Sequence, residues 1–227
     1  MTTAIKVARY HLVNPAIYLW GPWAFLAFTF AVNLAASEAQ GSGPNPTKAV
    51  VGIFVVFGVL GIWSTSRFLP FGLALGVSRR SYYLGTAGLA VVLAAMDGLL
   101  LTVLQAIERA TGDWGVGMYF FDVHYFLTGP WYLTWCSCFV GLTLLFAYGM
   151  WFGLVYRRWD STGLAVFIAG QFTVLLAGGL LVSSDHAWHS VGHFFTTLTA
   201  AGLTGVLAAL AAALLAGGFA VVRRVTV

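Results

Sequence analysis

Residues 84–107, LGTAGLAVVLAAMDGLLLTVLQAI, form an apolar run in which Asp97 is the one charged residue. At a helical rise of about 1.5 Å per residue, a run of this length crosses the roughly 30 Å hydrocarbon core of a bilayer. Five similar runs flank it, at residues 17–36, 49–66, 132–156, 163–182 and 197–222. The two-residue alternation that a membrane β-barrel needs is not sustained anywhere in the chain. The sequence therefore predicts an all-α polytopic membrane protein of six spans, with residues 1–227 as a single transmembrane domain.

The composition of the whole chain supports this class. Hydrophobic residues make up 60% of the 227 residues and charged residues 8%, whereas a soluble domain carries about 25% charged residues. So few charges cannot cover the surface of a water-soluble fold. This excludes soluble enzymes, nucleic-acid-binding proteins and secreted disulfide scaffolds.

The Lys and Arg residues between the runs predict the orientation. Nine of them fall in segments on one side of the membrane, and two, Lys48 and Arg109, fall on the other. Because cytoplasmic segments of membrane proteins are enriched in Lys and Arg, both termini are expected in the cytoplasm. Tryptophans near the predicted span ends, including Trp23, Trp135 and Trp151, are interpreted as belts at the two membrane surfaces.

Residues 1–16 precede the first run and carry two basic residues, as a signal peptide does. The run that follows is longer than the apolar core of a signal peptide, and no convincing small-residue cleavage site follows it. An uncleaved first helix is therefore expected.

Asp97 is the one clearly intramembrane charge. A charged side chain inside a membrane is costly unless it is paired, protonated or hydrated, and such groups often mark a transport pathway. In one interpretation Asp97 is a neutral carboxyl group that is hydrogen-bonded to Gln171, or to a Ser or Thr, on a neighbouring helix. In the other it is the centre of a proton-coupled carrier or channel. Gln105 lies two turns further along the same helix face, so Asp97, Gln105 and Gln171 are the candidate pathway residues.

A histidine-rich segment precedes the last run, on the predicted outer side. His186, His189 and His193 occur at positions i, i+3 and i+7, and Asp185 shares a helix face with His189 and His193. This set is able to hold Zn or Cu, with His124 as a fourth ligand. The same spacing is typical of a polar rim at a membrane surface. We favour the rim, so neither a metal nor a cofactor is predicted in this chain.

Small residues in the second and fourth runs recur at spacings that suit close helix packing. Gly58 and Gly61 lie in the second run, and Gly149 and Gly153 lie in the fourth. Glycine lets two helix backbones approach each other closely in a membrane. We therefore expect tight contacts at these positions, with the partner helix in the same chain or in another copy.

The segment RFLPFGLALGVSRRSYYLG, residues 67–85, is too polar and too short for a further span. Pro70 and Gly76 are predicted to interrupt the backbone, and Ser78 is a candidate N-cap with two arginines in the first turn of the next helix. These features predict a short amphipathic element on the cytoplasmic membrane face. Its aromatic and Leu side chains are able to contact a soluble partner.

With this loop, the chain resembles the permease subunits of type-2 ABC exporters, in particular small six-helix permeases of actinobacterial type. The resemblance rests on an amphipathic N-terminal segment, six spans with both ends inside, the loop sequence LALGVSRRSYY (73–83) and the run ERATGDWGVGMYFF (108–121). In that family the loop between spans two and three is a coupling helix that docks into a groove on an ATP-hydrolysing subunit. The resemblance implies a coupling contact through Phe71, Gly76, Val77, Ser78, Arg79, Arg80 and Tyr82.

The resemblance also implies the partners and the location of the chain. The partners are an ABC ATPase subunit that binds ATP and Mg, a second copy of the chain or a homologous permease, and the lipid of a bacterial cell membrane. The chain itself has no G-x-x-x-x-G-K-[ST] phosphate loop, because neither Lys6 nor Lys48 follows a glycine. The chain is therefore not expected to be an enzyme, and ATP hydrolysis is expected from the partner subunit.

The expected function is that of a membrane-spanning permease subunit, which exports a hydrophobic or amphipathic compound. Two alternatives stay open. One is the proton-coupled carrier or channel centred on Asp97, which needs no ATPase. The other is an intramembrane enzyme or metalloprotein that uses the outer histidines.

Overall fold

The computed structural model describes Val7 and residues 16–40, 45–46, 49–121, 129–184 and 188–222. Within these ranges the chain is helical apart from turns and one pair of two-residue strands. Five helical segments are long and apolar enough to cross a membrane: Ala16–Ala39, Val51–Ala74, Arg79–Ala110, Trp131–Ser184 and Ala200–Val222. The predicted all-α class and its membrane-spanning character are confirmed at this level.

The first long helix is α1 (Gly21–Gln40), which continues a π-helical turn at Ala16–Trp20. Together, the turn and α1 cover the first predicted run, residues 17–36. The amphipathic segment and the N-terminus lie outside the described residues, except for Val7, and so does the C-terminus after Val222. The predicted cytoplasmic location of both termini stays a prediction.

The second span is longer than predicted. It consists of α2 (Val51–Trp63), a π-helical turn at Ser64–Phe68 and α3 (Leu69–Ala74). Pro70 was expected to interrupt the backbone, but the helix continues through it. Pro70 lies in the first turn of α3, where its missing N–H is tolerated, and the widened π-helical turn directly precedes it.

The third span is α4 (Arg79–Ala110), which has 32 residues and extends past both ends of the predicted run. It begins at the predicted cap, where the Ser78 side chain accepts a hydrogen bond from the Ser81 backbone N–H at 3.2 Å. It ends before Gly112, whose φ of 63° turns the chain away. At about 1.5 Å per residue α4 is roughly 48 Å long, so both of its ends reach beyond a hydrocarbon core of about 30 Å.

The fourth and fifth predicted runs lie in one helical segment, α5 (Trp131–Ser184), which reverses direction at Asp160. Asp160 has φ 58° and ψ −157°, a conformation that is not helical. Beyond it the chain folds back. The Tyr148 hydroxyl donates a hydrogen bond to Gln171 Oε1. The rings of Phe152 and Phe167 are 5.3 Å apart. The two halves of α5 thus form an antiparallel hairpin, and they match the predicted runs 132–156 and 163–182.

The last predicted run, 197–222, corresponds to α7 (Ala200–Val222), and a separate helix, α6 (Trp188–Thr197), precedes it. The predicted start at residue 197 is therefore three residues early. The Thr199 hydroxyl accepts a hydrogen bond from the Gly202 backbone N–H at 3.1 Å, which caps the start of α7.

The core of the bundle is the parallel contact between α2 and the first half of α5. A Cβ atom on Gly61 would collide with the backbone of the facing helix, and one on Gly149 would collide with the backbone of Gly58. Gly153 faces Thr65, whose hydroxyl donates a hydrogen bond across the same contact. The close approach predicted for the four glycines is confirmed, and the partner helix belongs to the same chain.

Two tryptophans hold the first half of α5 between its neighbours. The indole N–H of Trp135 donates to the Ala95 carbonyl of α4 at 3.0 Å. The indole N–H of Trp151 donates to the Leu214 carbonyl of α7 at 2.8 Å. These side chains, which are predicted to lie in the membrane-surface belts, bridge helices within the protein.

One end of the bundle, here called the inner end, joins α2, α4 and α7. The hydroxyl of Tyr82 donates to the Ser64 carbonyl at 2.7 Å, and the hydroxyl of Tyr83 donates to the Leu215 carbonyl at 2.8 Å. The Arg80 guanidinium lies 5.9 Å from the centre of the Phe219 ring. Segments that carry predicted cytoplasmic arginines therefore meet at one end.

The opposite end, here called the outer end, is closed by residues 108–121. A 3₁₀ turn at Asp113–Gly115 leads into β2 (Met118–Tyr119), which pairs in parallel with β1 (Asn45–Pro46). The pairing joins the segment after α1 to the segment after α4. Residues 122–128, which follow this segment, lie outside the described residues.

Candidate functional site

The turn between α3 and α4 is the segment that the sequence predicts to couple to a partner. The Val77 backbone N–H donates to the Gly72 carbonyl at 3.2 Å, and the Gly76 N–H donates to the Leu73 carbonyl at 2.9 Å. Gly76 has φ 79°. Together these bonds form a Schellman motif, in which glycine supplies the left-handed residue that ends a helix. The chain thus turns within Leu75, Gly76, Val77 and Ser78 before α4 begins.

Residues 69–82, here called the inner turn, present apolar side chains at the inner end. Phe71 is 53% exposed and Leu75 is 63% exposed. Arg79 is half-buried and Arg80 is exposed in the first turn of α4. The inner turn therefore combines two exposed apolar side chains with two cations on a backbone fixed by its own hydrogen bonds.

Tyr82 has an internal position, in contrast to the direct partner contact predicted for it. Its side chain is 1% exposed, and its hydroxyl is bonded to the Ser64 carbonyl. A Cβ atom on Gly72 would lie 2.7 Å from the Tyr82 ring, so the ring packs directly on the α3 backbone. Tyr82 therefore holds α3 against α4 and does not face a soluble partner.

Asp97 lies buried in the middle of α4, with an exposed fraction of 4%. Its Oδ1 atom accepts a hydrogen bond from the Trp23 indole N–H of α1 at 3.0 Å. The predicted partner Gln171 is elsewhere, bonded to Tyr148 within the α5 hairpin. The structure therefore brings Asp97 together with a tryptophan that the sequence analysis had placed in a membrane-surface belt.

Gln105 continues the polar stripe of α4 toward the outer end. It is 3% exposed. Thr102, between Asp97 and Gln105, is also buried, and its hydroxyl donates to the Gly98 carbonyl at 2.8 Å. Asp97 and Gln105 therefore share the protein-facing side of α4, as predicted, while Gln171 does not join them.

Glu108, which opens the run 108–121, is a functional candidate that the sequence did not single out. Its side chain is 0% exposed. Its Oε2 atom accepts hydrogen bonds from the Trp114 indole N–H at 2.8 Å and from the backbone N–H groups of Phe120 and Phe121 at 3.0 and 2.9 Å. We call residues 108–121 the outer cap. The Glu108 carboxylate thus binds the outer cap to the end of α4 through three hydrogen bonds.

The outer cap also packs on α1. The Phe30 ring lies 4.9 Å from the Trp114 ring and 5.2 Å from the Phe120 ring. Below these rings an apolar cavity of about 250 Å³ separates α1 from α4. Its walls are Trp23, Leu26, Ala27, Phe30, Leu104, Trp114 and Phe121. Trp23 therefore lines this cavity while its N–H group holds Asp97.

The predicted metal ligands lie partly outside the described residues, since Asp185, His186 and His124 fall in undescribed segments. His189 and His193 are exposed on α6. Among the residues that the structure does describe, no group of three or more His, Cys, Asp or Glu side chains is arranged to hold a metal. The metal hypothesis and its rim alternative both stay predictions.

No protein-family model, curated protein or solved structure matches this chain. The function is therefore argued from the geometry of the inner turn, the Asp97 site and the outer cap.

Proposed function

We propose that the chain is the membrane-spanning permease subunit of an ATP-driven type-2 ABC exporter, which moves a hydrophobic or amphipathic compound across a bacterial cell membrane. The observation that carries this proposal is the inner turn. It is a short, internally hydrogen-bonded turn with exposed Phe71 and Leu75 beside Arg79 and Arg80. Exposed apolar side chains flanked by cations at a helix end suit a contact with a soluble subunit.

The internal contacts of the inner turn support a role in transmitting movement. Tyr82 ties the start of α4 to the end of α2 through the Ser64 carbonyl and packs on Gly72 of α3. A displacement of the inner turn by an ATPase subunit therefore moves α3 and α4 together. Because α4 continues to Glu108 and the outer cap, the same displacement reaches the outer end. This is the rigid-body coupling that alternating access requires.

The second half of α5 supports the proposal of a second membrane subunit. Val174, Leu175 and Leu176 are 72%, 71% and 67% exposed. Successive residues of a helix point about 100° apart, so at residues 174–176 this half-helix is uncovered around most of its circumference. A Cβ atom on Gly178 or Gly179 would meet nothing within 4 Å. We place the contact with a second copy, or with a homologous permease, on this half-helix.

The test is purification of the tagged chain from its own cells, followed by identification of any co-purifying ATPase that carries a phosphate loop. Leu75→Glu and Arg79→Glu are expected to reduce the amount of this ATPase at least about 10-fold, because a packed contact is worth about 2 kcal/mol or more. Arg158→Glu is the matched control, since Arg158 is exposed and lies outside the inner turn. Transport and transport-coupled ATP hydrolysis are expected to fall with the ATPase. Wild-type protein without such an ATPase, or equal recovery with all three variants, would contradict the proposal.

A proton-coupled carrier centred on Asp97 is the second candidate function. The observation that favours it is a buried carboxyl group in the middle of α4, next to a cavity wall that donates a hydrogen bond to it. Asp97→Asn keeps the shape and the acceptor oxygen but cannot take up or release a proton. Loss of transport with Asp97→Asn, together with full activity of the Leu75 and Arg79 variants, would favour the carrier.

A further inference from the structure

A second pocket lies at the inner end, between the end of α2 and the α5 hairpin. Its volume is about 410 Å³, within the range of about 300–1,000 Å³ that is typical of small-molecule sites. Trp63 and Arg67 contribute one wall, Phe152 and Tyr156 another, and Leu164 of the second half of α5 completes it. We call it the inner pocket. Neither the inner turn nor Asp97 lines it.

The inner pocket is charged at one edge and apolar along its walls. The Arg67 side chain is exposed, and its guanidinium lies 5.4 Å from the centre of the Trp63 ring. Among the described residues, no carboxylate pairs with this guanidinium. Phe152 and Leu164 supply apolar surface. The pocket therefore combines the Arg67 guanidinium, which forms no ion pair with the described residues, with an apolar wall.

The chain segment that follows Tyr156 is also rich in charged residues. Arg157 and Arg158 directly follow Tyr156, and Arg158 lies 4.7 Å from the centre of the Trp159 ring. Asp160, at the turn of the hairpin, is the one acidic group in this stretch. Arg67 is thus the charged residue that lines the pocket, and the chain segment that follows Tyr156 carries two further arginines against one aspartate.

The side chains at the opening of the pocket are of the kinds found at the boundary between head groups and acyl chains. Trp63 and Tyr156 are 36% and 43% exposed at the two sides of the opening, and Trp, Tyr and Arg side chains are typical of that boundary. A free phosphate would use the guanidinium but leave the apolar walls uncovered. A phospholipid satisfies both, because its phosphate accepts hydrogen bonds from Arg and its acyl chain covers aromatic and Leu side chains.

We propose that the inner pocket binds one anionic phospholipid of the cytoplasmic leaflet, with its phosphate on Arg67 and an acyl chain along Phe152 and Leu164. The site goes beyond the proposed transport function and does not depend on an ATPase. A lipid in this position bridges α2 and both halves of α5, so it stabilises the hairpin against the rest of the bundle.

The test uses native mass spectrometry of the purified chain from nanodiscs of phosphatidylcholine with an equal amount of phosphatidylglycerol. Wild-type protein is expected to retain one phosphatidylglycerol per chain. Arg67→Gln is expected to weaken this binding about fivefold or more, since one basic residue near a lipid surface contributes about that factor. Leu164→Trp fills the apolar part of the pocket without a change in charge, and it is expected to reduce retention as well. Elution as a single folded species shows that the variants can be compared.

Arg80→Gln is the control, because it removes the same charge at the same end of the bundle but outside the pocket. It is expected to retain the lipid. Equal loss with Arg80→Gln would mean non-specific attraction to surface charge and would overturn the proposal. Equal retention of phosphatidylcholine would overturn it too, because the site would then not select an anionic lipid. Displacement of the lipid by inorganic phosphate alone would also overturn it, because the site would then recognise only an anion.

Discussion

Replacing Gly149 by Ala tests directly how the bundle is assembled. The new Cβ atom would collide with the carbonyl oxygen of Gly58, and it would lie 2.9 Å from the carbonyl carbon of Gly58 and 3.1 Å from the backbone nitrogen of Ile62. All three are backbone atoms of a helix, so no side chain is able to rotate away. Carbon atoms in ordinary contact are about 3.5–4.0 Å apart, so the 2.9 Å contact alone requires α2 and α5 to separate by about 0.6 Å, and the contact with the oxygen requires more.

The expected cost follows from this separation. A gap of this size or larger forfeits about a quarter to a half of the dispersion energy between the facing atoms. Overpacking of a core costs about 1–3 kcal/mol, and a collision with backbone atoms belongs at the upper end of that range. The higher helix propensity of Ala offsets about 0.5–1 kcal/mol of that cost. We therefore expect Gly149→Ala to lower the free energy of unfolding by about 2 kcal/mol. Gly88→Ala in α4 is the control, because its Cβ would meet nothing within 4 Å.

The measurement is unfolding of the purified variants, in which dodecyl sulfate is titrated into maltoside micelles and helix content is followed by circular dichroism. Gly149→Ala is expected to unfold at a lower fraction of dodecyl sulfate than wild type, and Gly88→Ala at the same or a higher fraction. If wild type and both variants unfold at the same fraction of dodecyl sulfate, the inference that the backbones of α2 and α5 are in close contact is wrong.

Three further outcomes are expected. Asp160→Gly should raise the free energy of unfolding by about 1 kcal/mol in the same titration, because φ 58° and ψ −157° are readily adopted only by glycine; a loss of stability would contradict the strain. Glu108→Gln should speed cleavage by trypsin after Arg109, since the amide group cannot replace the carboxylate toward three N–H donors; an unchanged rate would show that the outer cap does not depend on Glu108. A single cysteine at Ser42 should react with a membrane-impermeant maleimide in intact cells and one at Ser78 should not; the opposite pattern would reverse the topology.

The parts of the fold that were predictable are those that local chemistry determines. Length and apolar content located the spans, since a helix must cross a fixed hydrocarbon thickness. The cap at Ser78 and the turn at Gly76 follow from the backbone preferences of serine and glycine. The close contact at Gly149 was predictable because small residues at this spacing in a membrane helix allow two backbones to approach each other closely.

The candidate site was less predictable, because lipid and protein interior are equally apolar. Hydropathy therefore does not show which face of a span is covered by its neighbours. Nothing in the sequence distinguishes Trp23, which holds Asp97, from the other tryptophans near span ends. The role of Glu108 depends on a chain reversal through positive φ angles at Asp113 and Trp114. The glycines at 112, 115 and 117 were the available signal for that reversal.

The parallel contact between α2 and α5 has a consequence for biosynthesis. Thr65 and Met150, which are bonded across this contact, are 85 residues apart in the chain. At about 5–20 residues per second of translation, the partner of α2 leaves the ribosome roughly 4–17 s after α2 does. During that time the surface of α2 that carries Gly58 and Gly61 faces lipid or the insertion machinery. A nascent chain that stalls after α4 therefore leaves this surface of α2 without the helix that covers it in the complete protein.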